Sequence, residues 1–158
     1  MRIVRAVNET NKKQKQVIAE KVLKFFANKV KGKKCAMWGT AFKPETDDVR
    51  EAPAIEVIRM LSKAGAECAV HDPKALENAR KILGEKSITY YNNSYDTLEG
   101  ADALIIMTEW KEYRTPDWQR VKNLMRTHVV FDGRNLYNPV ELKELNFRYF
   151  GIGYGEKV

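Results

Sequence analysis

Cys35-Ala36-Met37-Trp38-Gly39-Thr40-Ala41-Phe42-Lys43-Pro44-Glu45-Thr46-Asp47-Asp48-Val49-Arg50-Glu51-Ala52-Pro53 is the stretch on which the fold turns. It enters as an apolar run, Cys35 to Trp38, that reads as a buried strand. It leaves as a helical pattern beginning near Pro53. Between them, Thr40 to Ala52 make a connection of thirteen residues. Strand-to-helix loops in α/β units usually take about two to six residues. A longer one normally forms a lid or a site. This one carries Lys43, Arg50 and several carboxylates beside a strand end.

Reading outward in the C-terminal direction, strands and helices alternate at short spacing. Strand one is Lys34–Gly39. The helix after the long loop runs from about residue 53 to 64, with Pro53 suiting its first turn and Gly65 its end. Strand two is Glu67–His71, closed by Asp72-Pro73. Ala75–Leu83 reads as a helix stopped by Gly84, and Ser87–Tyr91 as a short strand. Ser94 is placed to cap a brief helix through Leu98. Ala101–Met107 is a continuous apolar strand, followed by a helix at Asp117–Arg126 and a strand at His128–Phe131. A short helix at Pro139–Leu145 and a strand at Phe147–Phe150 close the series. Apolar runs without period-two alternation indicate strands buried on both faces. The expected fold is therefore α/β: a Rossmann-like, doubly wound, mostly parallel sheet of five to six strands.

Reading in the other direction, Ile3, Val4, Val7, Val17, Ile18, Val22, Phe25 and Phe26 follow a roughly helical period. Residues 2–29 are expected as one helix, or two with a polar break near Asn8–Lys13, ending at Gly32. Their apolar stripe needs a partner, either the domain or another subunit.

Length and charge bound the function. The chain has 158 residues, enough for one domain with a real core. No apolar run approaches the ~20 residues needed to span a bilayer, and Met1–Arg5 shows no signal-peptide pattern. Cys35 and Cys68 lie in strand-like surroundings and read as buried thiols, which fits a cytoplasmic protein. The formal charge of +7 is not evenly spread: residues 1–34 carry a net +9 and the rest a net −2. A basic segment of this kind can engage nucleic acid or another anionic partner. No aromatic residues interleave with its cations in a stacking pattern, so a solvated helix face is the plainer account and nucleic acid is not expected as a partner.

In doubly wound sheets, ligands bind outside the carboxyl ends of the strands, where the strand order reverses. Residues just after the strands are Gly39, Phe42 and Lys43; His71 and Asp72; Thr108, Glu109 and Trp110; and Asp132, Gly133, Arg134 and Asn135. A 3-2-1-4-5 order lets Lys43 and Arg134 reach one crevice, where two cations suit a phosphate or carboxylate. The dinucleotide fingerprint G-x-G-x-x-G is absent, since only Gly39 follows strand one. Asp72 then reads as a turn-forming Asp-Pro rather than a ribose ligand. Asp47 and Asp48 lie too far beyond the strand end for a metal pocket there. No Ser or Cys forms a nucleophile elbow, no Cys/His group has zinc spacing, and His71 and His128 read as structural.

The stretch Gly39–Pro53 resembles a signature of the UDP-glucose 6-dehydrogenases, within the UDP-glucose/GDP-mannose dehydrogenase family. His71-Asp72-Pro73, Ala101-Asp102-Ala103 through Thr108-Glu109-Trp110, Asp132–Tyr137 and Gly151-Ile152-Gly153 match it in the same order. The resemblance implies an enzyme that oxidises a sugar C6 alcohol to a carboxylate in two NAD-dependent steps, through a thiohemiacetal and a thioester on a cysteine. It implies that residues 1–31 are the end of a central helical dimerisation region and that 32–158 are a C-terminal nucleotide-sugar-binding domain. It assigns Phe42, Lys43 and Arg134 to substrate and Arg50 to NAD. It implies a homodimer in the full-length enzyme and favours UDP-glucose over GDP-mannose. The family's NAD fingerprint and its catalytic cysteine segment are missing, and neither Cys35 nor Cys68 is that cysteine. Trp38 replaces an aliphatic residue. The expectation is a fragment without turnover of its own and with no catalytic residue or metal. The alternative is a non-catalytic binding module using the basic N-terminal segment.

Overall fold

The structure, a computed structural model, describes residues 15–153. Its strands are β1 (Lys34–Trp38), β2 (Glu67–His71), β3 (Ile88–Tyr90), β4 (Ala103–Ile106), β5 (Val129–Asp132) and β6 (Arg148–Phe150). They form one sheet in the order β3-β2-β1-β4-β5-β6, and every neighbouring pair is parallel. The apolar stretch that opened the sequence is thus an inner strand, with β2 on one side and β4 on the other. The order reverses between β1 and β4, which defines the switch point.

Because side chains alternate across a strand, β1 feeds two cores. Cys35 and Met37 join one face, and Ala36 and Trp38 the other. On the first face, helix α2 (Pro53–Lys63) buries Ala54, Val57, Ile58 and Leu61, and α3 (Leu76–Leu83) lies beside it. On the second lie α4 (Trp118–Leu124), α5 (Pro139–Glu144) and the 3₁₀ turns Ser94–Leu98 and Lys111–Tyr113, through Val121, Leu142, Leu98 and Tyr113.

The β5–β6 half of the first face is closed by helix α1, described over residues 15–25. Ile18, Ala19 and Val22 are buried there, and the Phe25 ring meets Phe131 and Phe150 edge-on at 5.7 and 5.5 Å between centroids. The described part of the N-terminal apolar stripe therefore finds its partner in the domain itself. The expected helix over residues 2–14 lies outside the described residues.

Element boundaries differ slightly from expectation. The strand expected at Ala101–Met107 is regular only over Ala103–Ile106; just before it, Asp102 stays tied to Lys34, donating its amide to the Lys34 carbonyl at 2.7 Å and accepting the Lys34 amide on its carboxylate at 3.0 Å. The brief helix near Ser94 is a 3₁₀ turn whose cap is Asn93, accepting from the Tyr95 amide. Asp117 caps α4 through the Arg120 amide.

Candidate functional site

The loops after β1, β4 and β5 lie side by side because those strands are adjacent. They are stitched together. Gly39, at φ +99°, sits so close to Thr108 that a Cβ there would lie 2.5 Å from the Thr108 Cβ. The Thr108 hydroxyl donates to the Ala41 carbonyl at 2.8 Å. The Gly133 amide donates to the Ile106 carbonyl at 2.8 Å. The Arg134 guanidinium grips Glu109 through Nε and Nη2. Beyond β5, Asn135 exchanges two hydrogen bonds with Ile152.

Two buried aspartates hold these loops in shape. Asp72, 4% exposed, accepts five N–H groups. The Thr40 and Ala41 amides and the Trp110 indole reach Oδ2, and the Lys74 and Ala75 amides reach Oδ1. Asp132 receives the Arg134 amide on Oδ1. Its Oδ2 takes the Leu136 and Tyr137 amides and the Tyr149 hydroxyl.

That arrangement bears on a dinucleotide. In a Rossmann cradle, the amides after β1 face the pyrophosphate and the acid after β2 holds the ribose. Here the Thr40 and Ala41 amides point at Asp72, and Asp72 is occupied by protein donors. The residues present do not fit a self-contained NAD site, in line with the missing glycines.

The long loop is itself organised. The Phe42 amide donates to the Asp48 carbonyl at 2.8 Å, Asn78 of α3 reaches the Asp47 carbonyl, and Ala41, Val49 and Ala52 are buried in the core. Among what it leaves outward are Phe42, 49% exposed, and Lys43, together with Glu45, Asp47, Arg50 and Glu51. Phe42-Lys43 and Arg134 thus stand on the two loops that flank the end of β4. Arg50 turns to its own loop, pairing with Asp48 through Nε and Nη2 at 3.0 and 3.1 Å. Hydrogen bonds from Arg50, with a smaller contribution from Lys43, hold the Asp48 carboxyl below its ordinary range. The hydrogen bonds from Arg134 do the same for Glu109.

His71, at the end of β2, is buried with Nδ1 2.7 Å from the Tyr113 hydroxyl. Burial lowers its imidazole from the ordinary 6.5, against a weaker upward pull from Asp72 and the Asn92 carbonyl. The imidazole is therefore neutral at neutral pH, and the 3.8 Å approach of Nε2 to Glu112 is not an ion pair there. Because the native value lies below the unfolded one, this stabilisation is complete above about pH 6.5 and is lost as pH falls toward the depressed native value. Urea unfolding is expected to show a lower midpoint at about pH 5.5 than at about pH 7.5. His71→Gln should flatten that slope, and an unchanged slope would exclude His71 as its source.

Among the described residues no group of His, Cys, Asp and Glu is placed to hold a metal ion, and no helix is long and apolar enough to cross a membrane. Cys35 and Cys68 face each other across β1 and β2, both buried. Burial pushes Cys35 up to about 12 and raises Cys68 as well, so neither is an activated nucleophile. Reasoning from the sequence assigned Glu109 no role and read Asp72 as a turn former, which its bonds from the Lys74 and Ala75 amides bear out; no local pattern signals Asp72's partners on other loops or Glu109's.

The fold and these loops define a Rossmann-like domain with Phe42 and Lys43 exposed after β1 and Arg134 after β5, on either side of the β4 end. Residues 36–139 match the UDP-binding domain of the UDP-glucose/GDP-mannose dehydrogenase family. The chain belongs to that family. It is 41% identical to a UDP-glucose 6-dehydrogenase of Pseudomonas aeruginosa, with 96% of this chain and 34% of the relative covered. It is 40% identical to one from Bacillus subtilis, covering 96% and 32%. The solved UDP-glucose dehydrogenase of Pyrobaculum islandicum superposes with a TM-score of 0.79 at 34% identity, over 98% of this chain and 33% of that one. An NDP-N-acetyl-D-galactosaminuronic acid dehydrogenase from Methanosarcina mazei gives 0.72 at 27% identity, over 89% and 29%. The chain spans about a third of the length of the relatives it matches.

Proposed function

We propose that this chain is the nucleotide-sugar-binding portion of an NAD-dependent UDP-glucose 6-dehydrogenase, which oxidises UDP-glucose to UDP-glucuronate in two successive steps. In this reading residues 1–31 are the end of a central helical region and residues 32–158 the substrate domain. Phe42, Lys43 and Arg134 meet the UDP-sugar, and Arg50 extends toward NAD held mainly by a part of the enzyme outside this chain. The full-length enzyme is a cytoplasmic homodimer. The observation that carries the reading is the stitching of the β1 and β5 loops to the end of β4, which sets Phe42-Lys43 and Arg134 around one strand end. A diphosphate suits that setting, since an Arg fork and a mobile ammonium complement its oxygens. Two buried cysteines with raised thiol pKa values cannot form the covalent intermediate, so the chain alone is expected to reduce no NAD when mixed with UDP-glucose.

Backbone amide NMR during titration with UDP-glucose tests the reading. Shifts are expected at Phe42–Arg50 and Asp132–Asn135. Arg134→Ala is expected to weaken binding by about tenfold or more, the worth of a charge-assisted hydrogen-bond pair. No shift in either loop at millimolar ligand would reject the assignment.

A further inference from the structure

Both arginines assigned to ligands are already paired with a carboxylate, and in the same manner. A guanidinium carries five N–H donors in a plane. Glu109 takes Nε and Nη2 of Arg134, and Asp48 takes Nε and Nη2 of Arg50. Each carboxylate grips the side of the fork, which leaves Nη1 and the second hydrogen of Nη2 to form an end-on edge. That edge can still hold a phosphate with two parallel hydrogen bonds.

The two pairs differ in exposure. The side chains of Arg50 and Asp48 are 86% and 38% exposed, and solvent reduces such a pair to little. Those of Arg134 and Glu109 are 33% and 26% exposed. Moreover, Glu109 comes from the β4 end and Arg134 from the β5 loop, so their contact fixes one loop against another. We infer that Glu109 is a positioning residue that clamps the side of the Arg134 guanidinium and presents its end-on edge to a nucleoside diphosphate. The inference rests on the nucleotide-sugar reading above. Glu109 does not release Arg134 to bind ligand, because the Arg134 hydrogen bonds keep its carboxyl below the ordinary range and hence charged at neutral pH. The ligand meets an arginine whose rotamers are already restricted, which lowers the ordering cost of binding.

This fixes the sign of a substitution. By charge alone, Glu109→Ala removes a negative group near an anion and should tighten binding. By positioning, it frees a long side chain and weakens binding, on the order of three- to tenfold. The test is calorimetric titration of UDP into the chain and its Glu109→Ala, Glu109→Asp, Arg134→Ala and doubly substituted forms, with circular dichroism as the check on folding. Weaker binding is expected for Glu109→Ala and partial recovery for Glu109→Asp, which keeps the charge. No further loss is expected when Glu109→Ala is added to Arg134→Ala. The Arg134 Nε–H resonance should exchange slowly with water in the native chain and rapidly in Glu109→Ala, with or without UDP. If the native chain binds UDP and Glu109→Ala binds it equally or more tightly, the clamp is wrong and the nucleotide-sugar reading stands. Fast Nε–H exchange in the native chain also overturns the clamp. If the native chain fails to bind UDP while Nε–H stays protected, the nucleotide-sugar reading falls instead.

Discussion

Asp72→Ala is expected to destabilise the domain by about 3–5 kcal/mol, because several buried N–H donors lose their one acceptor, at about 1–3 kcal/mol for each left unsatisfied. The carboxylate is 4% exposed and receives five N–H donors. Four are backbone amides, two at the start of the long β1 loop and two at the entry to α3. The fifth is the Trp110 indole beyond β4. Alanine leaves all five without their acceptor, and a single water in the vacated space could accept only about two of them. Since domains are stable by only about 5–15 kcal/mol, such a loss puts the chain near its unfolding midpoint under mild conditions. Asp72→Asn retains one oxygen and points an NH₂ group at donors, so an intermediate loss is expected. Urea denaturation gives both values, with an unchanged m expected if only stability moves. A loss below about 1 kcal/mol for Asp72→Ala would mean that the amides find other acceptors, and that the loop is not held from β2.

The sheet was legible because it is encoded locally. Ala103–Ile106 and Val129–Phe131 are runs that only a strand buried on both faces explains, and parallel order follows from alternation with helices. That Phe42-Lys43 and Arg134 stand on loops flanking the end of β4 was legible for the same reason: once the order is known, so are the strand ends on either side. The turn that Asp72 makes with the Lys74 and Ala75 amides was legible from Asp72-Pro73, but the partners on other loops were not. Asp72 meets residues 31 to 38 positions away, and Glu109 meets Arg134 across 25. Neither leaves a spacing pattern, because side-chain bonds between loops depend on tertiary placement alone. Trp38 is a similar case. In the sequence it stood out only as a bulky residue before Gly39. In the fold it stacks on Tyr113 at 5.1 Å between centroids and donates its indole N–H to Thr97 Oγ1 at 3.0 Å. A larger strand residue was thus accommodated by partners on two separate turns.

The basic N-terminal segment shows the limit of charge counting. Its net charge raised the prospect of an anionic partner, but two of the described lysines are engaged inside the domain, while Lys24, Lys29 and Lys31 stay exposed. Lys15 pairs with Glu51 at the end of the long loop, and Lys21 donates to the Gly151 carbonyl beyond β6. Burial lowers Lys21 from its ordinary value, the mark of an ammonium partly withdrawn from water. These contacts tie helical residues 15–25 to the same edge of the sheet that carries the candidate site.

Gly39→Ala is expected to cost about 2–5 kcal/mol, combining backbone strain with overpacking. At φ +99° an L-residue is strained whatever the space around it. Space is also lacking: the added Cβ would lie 2.5 Å from Thr108 Cβ and Oγ1 and 2.7 Å from the Thr108 amide nitrogen. Relief requires the β1 and β4 ends to part, which also stretches the hydrogen bond from the Thr108 hydroxyl to Ala41. Phe42 and Lys43 follow directly after Ala41, so the same movement shifts them away from Arg134. Chemical denaturation is expected to show the stability loss, and UDP titration a matching drop in affinity. A double-substitution cycle separates the two causes. Thr108→Gly removes two of the three overlapping atoms but leaves φ at residue 39 unchanged. Gly39→Ala should therefore cost less in the Thr108→Gly background than in the native chain, while retaining the strain component. An equal cost in both backgrounds would show that backbone strain alone requires glycine here, and that the close packing of the β1 loop on β4 does not depend on it.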